Sequence, residues 1–221
     1  MTEVLENVKV RLYKFQALKD ENDLKRLKKI IKTGKFWCSN FWDLNDPMEG
    51  VYKAFIDPRT IKRIFEKKST YKICAFSGET GLNNLSLWGY YANGFKGIAI
   101  EILVAEIDIK KINYVSDQIF DSHNIEVIEI LTRKLLDWQH ENEYRFLTQS
   151  NKKSHKIGEI TKVYFGNPYE GLNNSGKIIG KSKTLKTYNK LKIKLQETCD
   201  TENISWEDYD RALIMNRRPN N

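Results

Sequence analysis

Cysteine and histidine are scarce in this 221-residue chain, at three each. Cys38, Cys74 and Cys199 are isolated and odd in number, which argues against a disulfide-stapled scaffold and points to reduced thiols in a cytoplasm. His123, His140 and His155 show no metal-ligand spacing with one another or with the cysteines, so no metal is expected. Long apolar runs are missing too. The longest, from Ile98 to Ala105, is interrupted by Glu101 and falls well short of the ~20 residues that cross a bilayer. The first residues lack the basic and apolar regions of a signal peptide, and no membrane partner is expected. The glycines are too scattered for a Walker-type or dinucleotide loop. No serine sits in a nucleophile elbow, and no kinase or EF-hand pattern is present.

What remains is a chain that can bury a core. Its 40% hydrophobic and 12% aromatic residues exclude global disorder, and its length suits one large domain. The net charge of +8 favours anionic partners such as nucleotides, DNA, RNA or acidic proteins. The excess is concentrated in residues 25–35, with Lys25, Arg26, Lys28, Lys29, Lys32 and Lys35, and in residues 177–194, with seven lysines from Lys177 and Lys181 to Lys194. Lysine-rich helix faces also occur merely solvated, so charge alone does not settle nucleic-acid contact.

The pattern predicts a strand over 8–15 and a helix over 20–33, with Asp20 as N-cap and Gly34 after its end. A strand over 35–40 leads to an ordered Asn/Asp/Pro turn over 43–50. A helix opens at Pro58 and runs to about residue 68. Next come a strand over 71–77, a flexible loop over 78–84 and a short aromatic helix over 85–93. Residues 97–104 read as a central strand, 110–115 as another and 124–138 as an amphipathic helix with Ile125, Ile128, Leu131 and Leu135 inward. Strands follow over 142–147 and 162–165, then a loop over 166–176, a helix over 181–189 and a last strand over 191–195. The expected organisation is a single α+β domain over residues 1–196, followed over 197–221 by a linker from Glu197 to Ile204 and a short helical tail from Trp206 to Met215.

Chemistry concentrates in Trp138-Gln139-His140-Glu141-Asn142-Glu143-Tyr144-Arg145-Phe146. On a strand, the period of two puts Glu143 and Arg145 on one face, with Tyr144 and Phe146 opposite. Glu141 joins them if the strand starts early. Two carboxylates beside a guanidinium can orient a polar ligand and carry acid–base work. The same pattern also fits a surface Glu–Arg ladder over an aromatic core. Three other clusters stand out. Leu12-Tyr13-Lys14-Phe15 sets a cation in an aromatic strand, and Ser39 ends the strand after Trp37. Trp88-Gly89-Tyr90-Tyr91 packs three large rings into one turn, more than one helix face can bury, which leaves some free to stack on a planar ligand.

Together these segments resemble a bacterial family of domains of unknown function. Its members carry Leu-Tyr-Lys-(Tyr/Phe), an Asn-Asp-Pro-(Phe/Met)-Glu turn, a Trp-x-x-Tyr-Ala helix before a Gly-Ile/Val strand, Trp-x-x-Glu-x-Glu-Tyr-Arg, and Val-Tyr-Phe-Gly. Here the motifs fall at Leu12 to Phe15, Asn45 to Glu49, Trp88 to Ala92 with Gly97-Ile98, Trp138 to Arg145, and Val163 to Gly166. Leu44 stands where that family has Phe.

A weaker resemblance is to the ADP-ribosyltransferase fold, in which a basic strand residue, a helix, a Gly, a Ser- or Tyr-bearing strand and a later glutamate strand follow in order. Lys14, Gly34, Ser39 and Glu141-Asn142-Glu143 fall in that order. This resemblance implies split, mostly antiparallel sheets with peripheral helices, and NAD as co-substrate. Lys14, with Tyr13 beside it, would hold NAD phosphate or ribose, and Ser39 would brace the site. A ring from Trp88, Tyr90 or Tyr91 would stack on nicotinamide. Glu143, beside Arg145, would stabilise the cationic sugar, and Glu141 would activate the acceptor. The implied function is NAD-dependent transfer of ADP-ribose to a macromolecule, DNA, RNA or protein, in a bacterial defence or toxin setting. A non-catalytic nucleic-acid or nucleotide-binding module is the alternative reading. A metal-free nuclease using Glu143, His140 and Arg145 is a third.

Overall fold

The run from residue 97 to 104 is apolar at every position but Glu101, a composition that suits a strand covered on both faces. In the structure, a computed structural model that describes residues 8–46, 48–120, 125–168 and 182–209, it lies in the middle of the largest sheet. In chain order the first elements are β1 (Lys9–Ala17), α1 (Glu21–Thr33), β2 (Lys35–Trp37), β3 (Lys53–Ala54), α2 (Pro58–Ser69), β4 (Lys72–Ser77), α3 (Leu85–Tyr90) and β5 (Gly97–Ala105). After them come β6 (Lys110–Lys111), β7 (Asn113–Val115), β8 (Ile119–Phe120), α4 (Val127–Leu131) and β9 (Arg133–Leu135). The chain continues through β10 (Glu143–Thr148), β11 (Ser154–Lys156), β12 (Glu159–Phe165), α5 (Lys183–Thr201) and β13 (Ser205–Asp208). This is a mixed α+β architecture whose pairings are mostly antiparallel; the parallel ones are β12–β13, β3–β8 and β7–β9. No helix of the described residues is long and apolar enough to cross a membrane.

The main sheet has the order β13-β12-β5-β1-β4-β10-β6. One face packs under α1 and α5, where Leu12, Ile98, Ile100, Ile102 and Phe76 meet Leu24, Leu27, Ile31, Leu185, Leu191 and Leu195. Helix α1 is fixed at both ends: Asp20 accepts from the N–H groups of Asn22 and Asp23, and Gly34 takes the left-handed conformation at φ 62°. The opposite face carries two smaller apolar clusters. Tyr13, Phe15, Leu87, Trp88 and Tyr164 form one, and Phe41, Ile64, Ile73, Ile130 and Leu131 the other.

Between those clusters the sheet forks. Strand β1 runs in full register with β5, from Lys9 opposite Ala105 to Ala17 opposite Gly97. It meets β4 at one residue pair, Tyr13 opposite Ser77. Further along β4, its edge is taken over by Ser39, which exchanges both backbone hydrogen bonds with Ile73 at 2.8 and 2.7 Å. In the gap, the Lys14 ammonium donates to the Ala75 carbonyl at 2.7 Å and so satisfies a strand acceptor that β1 does not reach. The expected pair of sheets is thus one hydrogen-bonded sheet, joined across its fork by a single residue pair and a lysine.

Several local expectations are corrected. Residues 124–138 are not one helix: α4 spans five residues, β9 follows, and a 3-10 turn runs over Leu136–Glu141. The helix ends where Thr132 folds its hydroxyl back onto Ile128 O, and Ile128, assigned to the buried stripe, is exposed. The strand expected over 191–195 is helical. Its Leu-Lys-Ile-Lys-Leu alternation also fits a helix stripe through Leu185, Tyr188, Leu191, Leu195 and Cys199, and Ile193 points to solvent. That stripe carries α5 to Thr201, through the residues read as a linker. The helical tail expected from Trp206 instead starts as β13, parallel to β12. The expectations for Pro47, His123, Asn124, residues 169–181 with Lys177 and Lys181, and residues 210–221 lie outside the described residues.

Candidate functional site

Strand β10 alternates as its sequence predicts. Glu143 and Arg145 turn to the face opposite α1 and α5, while Tyr144 and Phe146 pack, half-buried, on the helix-covered core. The surface-ladder reading does not hold, because Arg145 is 1% and Glu143 5% exposed. Glu141 closes the 3-10 turn, and Asn142 then takes the left-handed conformation at φ 44°. That reversal brings Glu141 and Glu143 to the same side without a continuous strand. Asn tolerates this conformation better than most residues, and its side chain is anchored on Thr80 Oγ1 at 3.0 Å.

The two carboxylates belong to a buried ionic cluster. Lys134 Nζ donates to Glu141 Oε2 at 2.6 Å and to Glu143 Oε2 at 3.0 Å. The Lys134 ammonium also lies 4.6 Å from the Trp138 ring centre. Arg145 Nε donates to Glu143 Oε1 at 2.6 Å, and Nη2 to Glu143 Oε2 at 3.2 Å. The fork of the guanidinium clasps Glu49 through Nη1 and Nη2, at 2.6 and 2.7 Å, and Nη1 also reaches Leu131 O at 2.6 Å. These five contacts match the five N–H donors of an arginine, which leaves none for a ligand. Glu49 is presented by the Asp46–Gly50 turn, held by Asp46 accepting from Met48 N and by the buried Lys68 ammonium donating to Gly50 O. The Asn-Asp-Pro-Met-Glu and Glu-Tyr-Arg motifs, far apart in sequence, are one contact.

Three carboxylates face two cations, and the imbalance shows in how Glu143 and Glu49 titrate. For Glu143, burial alone opposes the charged form, but Arg145 and Lys134 outweigh it and hold the carboxyl below its usual range. For Glu49, burial outweighs the one guanidinium it shares with Glu143, and its carboxyl is pushed up. Lys134 is raised, its desolvation overcome by Glu143 and Glu141. Glu141 Oε1 accepts from the Tyr91 hydroxyl at 2.5 Å, and burial together with Glu141 pushes that phenol up.

A cavity of about 210 Å³ opens where β1 and β4 part. Tyr13, Lys14, Tyr91, Glu141, Glu143 and Arg145 line it, so six of the nine residues singled out from the sequence come together. Ser39, Trp88 and Tyr90 do not line it. Ser39 braces β4 through its backbone. Trp88 is fully buried against Phe15, Phe95 and Tyr209, with its indole N–H on Leu82 O, and cannot stack on a ligand. Tyr90 is 66% exposed, edge-on to Tyr91 and His140. His140 is exposed, turned to Asp137 O and stacked on Trp138, outside the cavity. Tyr13 spends its hydroxyl on Glu101.

The residues missed from the sequence are Glu49, Lys134 and the acidic wall of Asp43 and Asp46. Lys134 carried a signal, since it lies three residues after Leu131 on the face assigned to burial, where a lysine needs a partner. Comparison with protein-family models, with curated proteins and with solved structures finds no match.

Proposed function

We propose that the cavity binds the nicotinamide–ribose end of NAD and that the chain transfers ADP-ribose to a macromolecular acceptor, in the cytoplasm and in a bacterial defence or toxin setting. The observation that carries this reading is the convergence of Glu141 and Glu143 on one ammonium at the mouth of the sheet fork. Five acidic side chains against three basic ones line the cavity, a balance that favours a cationic group over a phosphate. Its volume lies below the ~300–1,000 Å³ of pockets that enclose a whole drug-sized ligand, so the diphosphate and adenosine would rest outside, near the exposed Tyr90.

The two carboxylates differ in what they can still accept. Glu143 uses three of its roughly four lone-pair sites on Arg145 and Lys134, whereas Glu141 uses two. Glu143 is therefore fixed and ionised, a negative charge in place to stabilise the ribosyl cation as the bond from C1′ to the nicotinamide nitrogen breaks. The bonding electrons leave with nicotinamide. Glu141 takes the proton of the acceptor hydroxyl or amine as that group bonds to C1′.

A second reading, nucleic-acid or nucleotide binding without catalysis, is favoured by the exposed Lys25, Lys29 and Lys32 of α1 and Lys183, Lys186 and Lys190 of α5, two helices packed side by side. Incubation with labelled NAD plus DNA, RNA or lysate protein separates the two. Label transfer or nicotinamide release supports the enzyme, while salt-sensitive retention of nucleic acid with NAD intact supports the binding module.

A further inference from the structure

Cys38 and Cys74 take no part in the cavity chemistry, yet the strand register sets them face to face. Ser39 and Ile73 exchange both backbone hydrogen bonds, so they form a hydrogen-bonded antiparallel pair. The next pair outward is Cys38 opposite Cys74, a non-hydrogen-bonded position. Cα atoms at such positions lie about 4.5 Å apart, with side chains on the same face. A disulfide spans Cα separations of about 4.4–6.8 Å. Both side chains are buried in the helix-covered core, where each thiol bears on the titration of the other and Cys38 Sγ donates to Phe36 O at 3.9 Å. Chance burial of two separate cysteines does not require this register.

We propose that Cys38 and Cys74 are a reversible cross-strand thiol–disulfide pair that ties the wall of the cavity to its floor. Cys38 leads into the segment that supplies Asp43, Leu44, Asn45 and Asp46, and Cys74 into Ala75, Phe76 and Ser77; both sets line the cavity. Lys14, which also lines it, bears on both thiols through its charge. Burial opposes a Cys74 thiolate, but Cys38 and the Lys14 ammonium outweigh it, so that thiol is lowered. Cys38 is raised, by Cys74 and by burial. Whichever sulfur attacks first the balance is the same, and attack from Cys74 illustrates it. With hydrogen peroxide as the oxidant, the Cys74 thiolate attacks one oxygen, the O–O bond breaks, and hydroxide leaves, giving a sulfenic acid. Cys38 sulfur then displaces hydroxide from Cys74 sulfur, and the Cys38 proton leaves with it as water. Two thiols and one peroxide yield one disulfide and two waters.

The test uses the full reduced chain and needs no NAD turnover, so its outcome is separate from that of the enzyme reading. The protein is treated with hydrogen peroxide, remaining thiols are alkylated under denaturing conditions, and tryptic masses are read. The expected product joins the peptide of residues 36–53 to that of residues 73–96 with the loss of two hydrogens, leaves Cys199 alkylated, and reopens in dithiothreitol. Backbone amides of residues 41–46 should exchange more slowly in the oxidised protein. Recovery of both peptides alkylated, oxidation of Cys74 to sulfinic acid without a link, or cross-linking only to Cys199 would overturn the pairing. Unchanged exchange over 41–46 in the linked protein would overturn its action on the cavity wall.

Discussion

Glu101 and Glu143 are buried carboxylates on one face of one sheet, aligned across Tyr13 and Ser77, and they are satisfied by opposite means. Glu101 accepts from hydroxyls: Thr161 at 2.7 Å, Tyr164 at 3.0 Å and Tyr13 at 3.2 Å, with the Arg11 guanidinium at 3.8 Å. Glu143 accepts from two full cations. A carboxylate held by neutral donors shares its load among groups that can be lost one at a time. One clasped by Arg145 and Lys134 belongs to a cluster in which each charge is buried only because the others are. The first arrangement stabilises a strand; the second fixes charge beside a cavity.

The sharpest way to break this contrast is Arg145→Met. It removes five donors and leaves Glu49 and Glu143 short of their cation, so a loss of about 3–5 kcal/mol is expected in urea unfolding, enough to unfold a marginal domain. Glu143→Gln comes next. The amide can accept through one atom only, and its NH₂ meets a second cationic donor, so about 2–3 kcal/mol should be lost. Tyr13→Phe, at the neutral end, should cost about 1 kcal/mol, because Glu101 keeps Tyr164 and Thr161. Glu141→Gln should cost less still. Its oxygen can keep Lys134 while its NH₂ donates to the Tyr91 hydroxyl.

Acid sharpens the contrast within the cluster itself. Glu143 is lowered on folding, so its contribution is present above the unfolded carboxyl value of ~4.3 and is lost as pH falls through its folded value. Glu49 is raised, so its protonation above ~4.3 favours the fold as pH falls. Urea midpoints measured against pH should therefore flatten in Glu143→Gln and steepen in Glu49→Gln. Equal slopes in the two variants would contradict the assignment.

The capped helix α1, the central strand β5 and the shared face of Glu143 and Arg145 could all be read from local pattern, because caps, apolar continuity and the period of two act over a few residues. Lys134 could not. Its neighbours Leu131 and Leu135 share helical spacing, and the partners that hold it are carboxylates 7 and 9 residues further on. The Asp43–Gly50 turn was legible as a turn, but not as the mount for a carboxylate 96 residues from its arginine. Periodicity also misread residues 191–195, where alternation and a helix stripe coincide. The cavity depends on where two strands part, and that is set by the single Tyr13–Ser77 pairing rather than by any run of residue types.

The central claim is that Glu143 anchors the cluster while Glu141 faces the ligand, and nicotinamide release from NAD by Glu141→Gln tests it most directly. With unfolding midpoint and fold close to those of the parent chain, the variant should release nicotinamide at least ~10²-fold more slowly, the range lost with a general base. Release at the parent rate by Glu141→Gln, or none from the parent chain with DNA, RNA and protein acceptors all supplied, would contradict it.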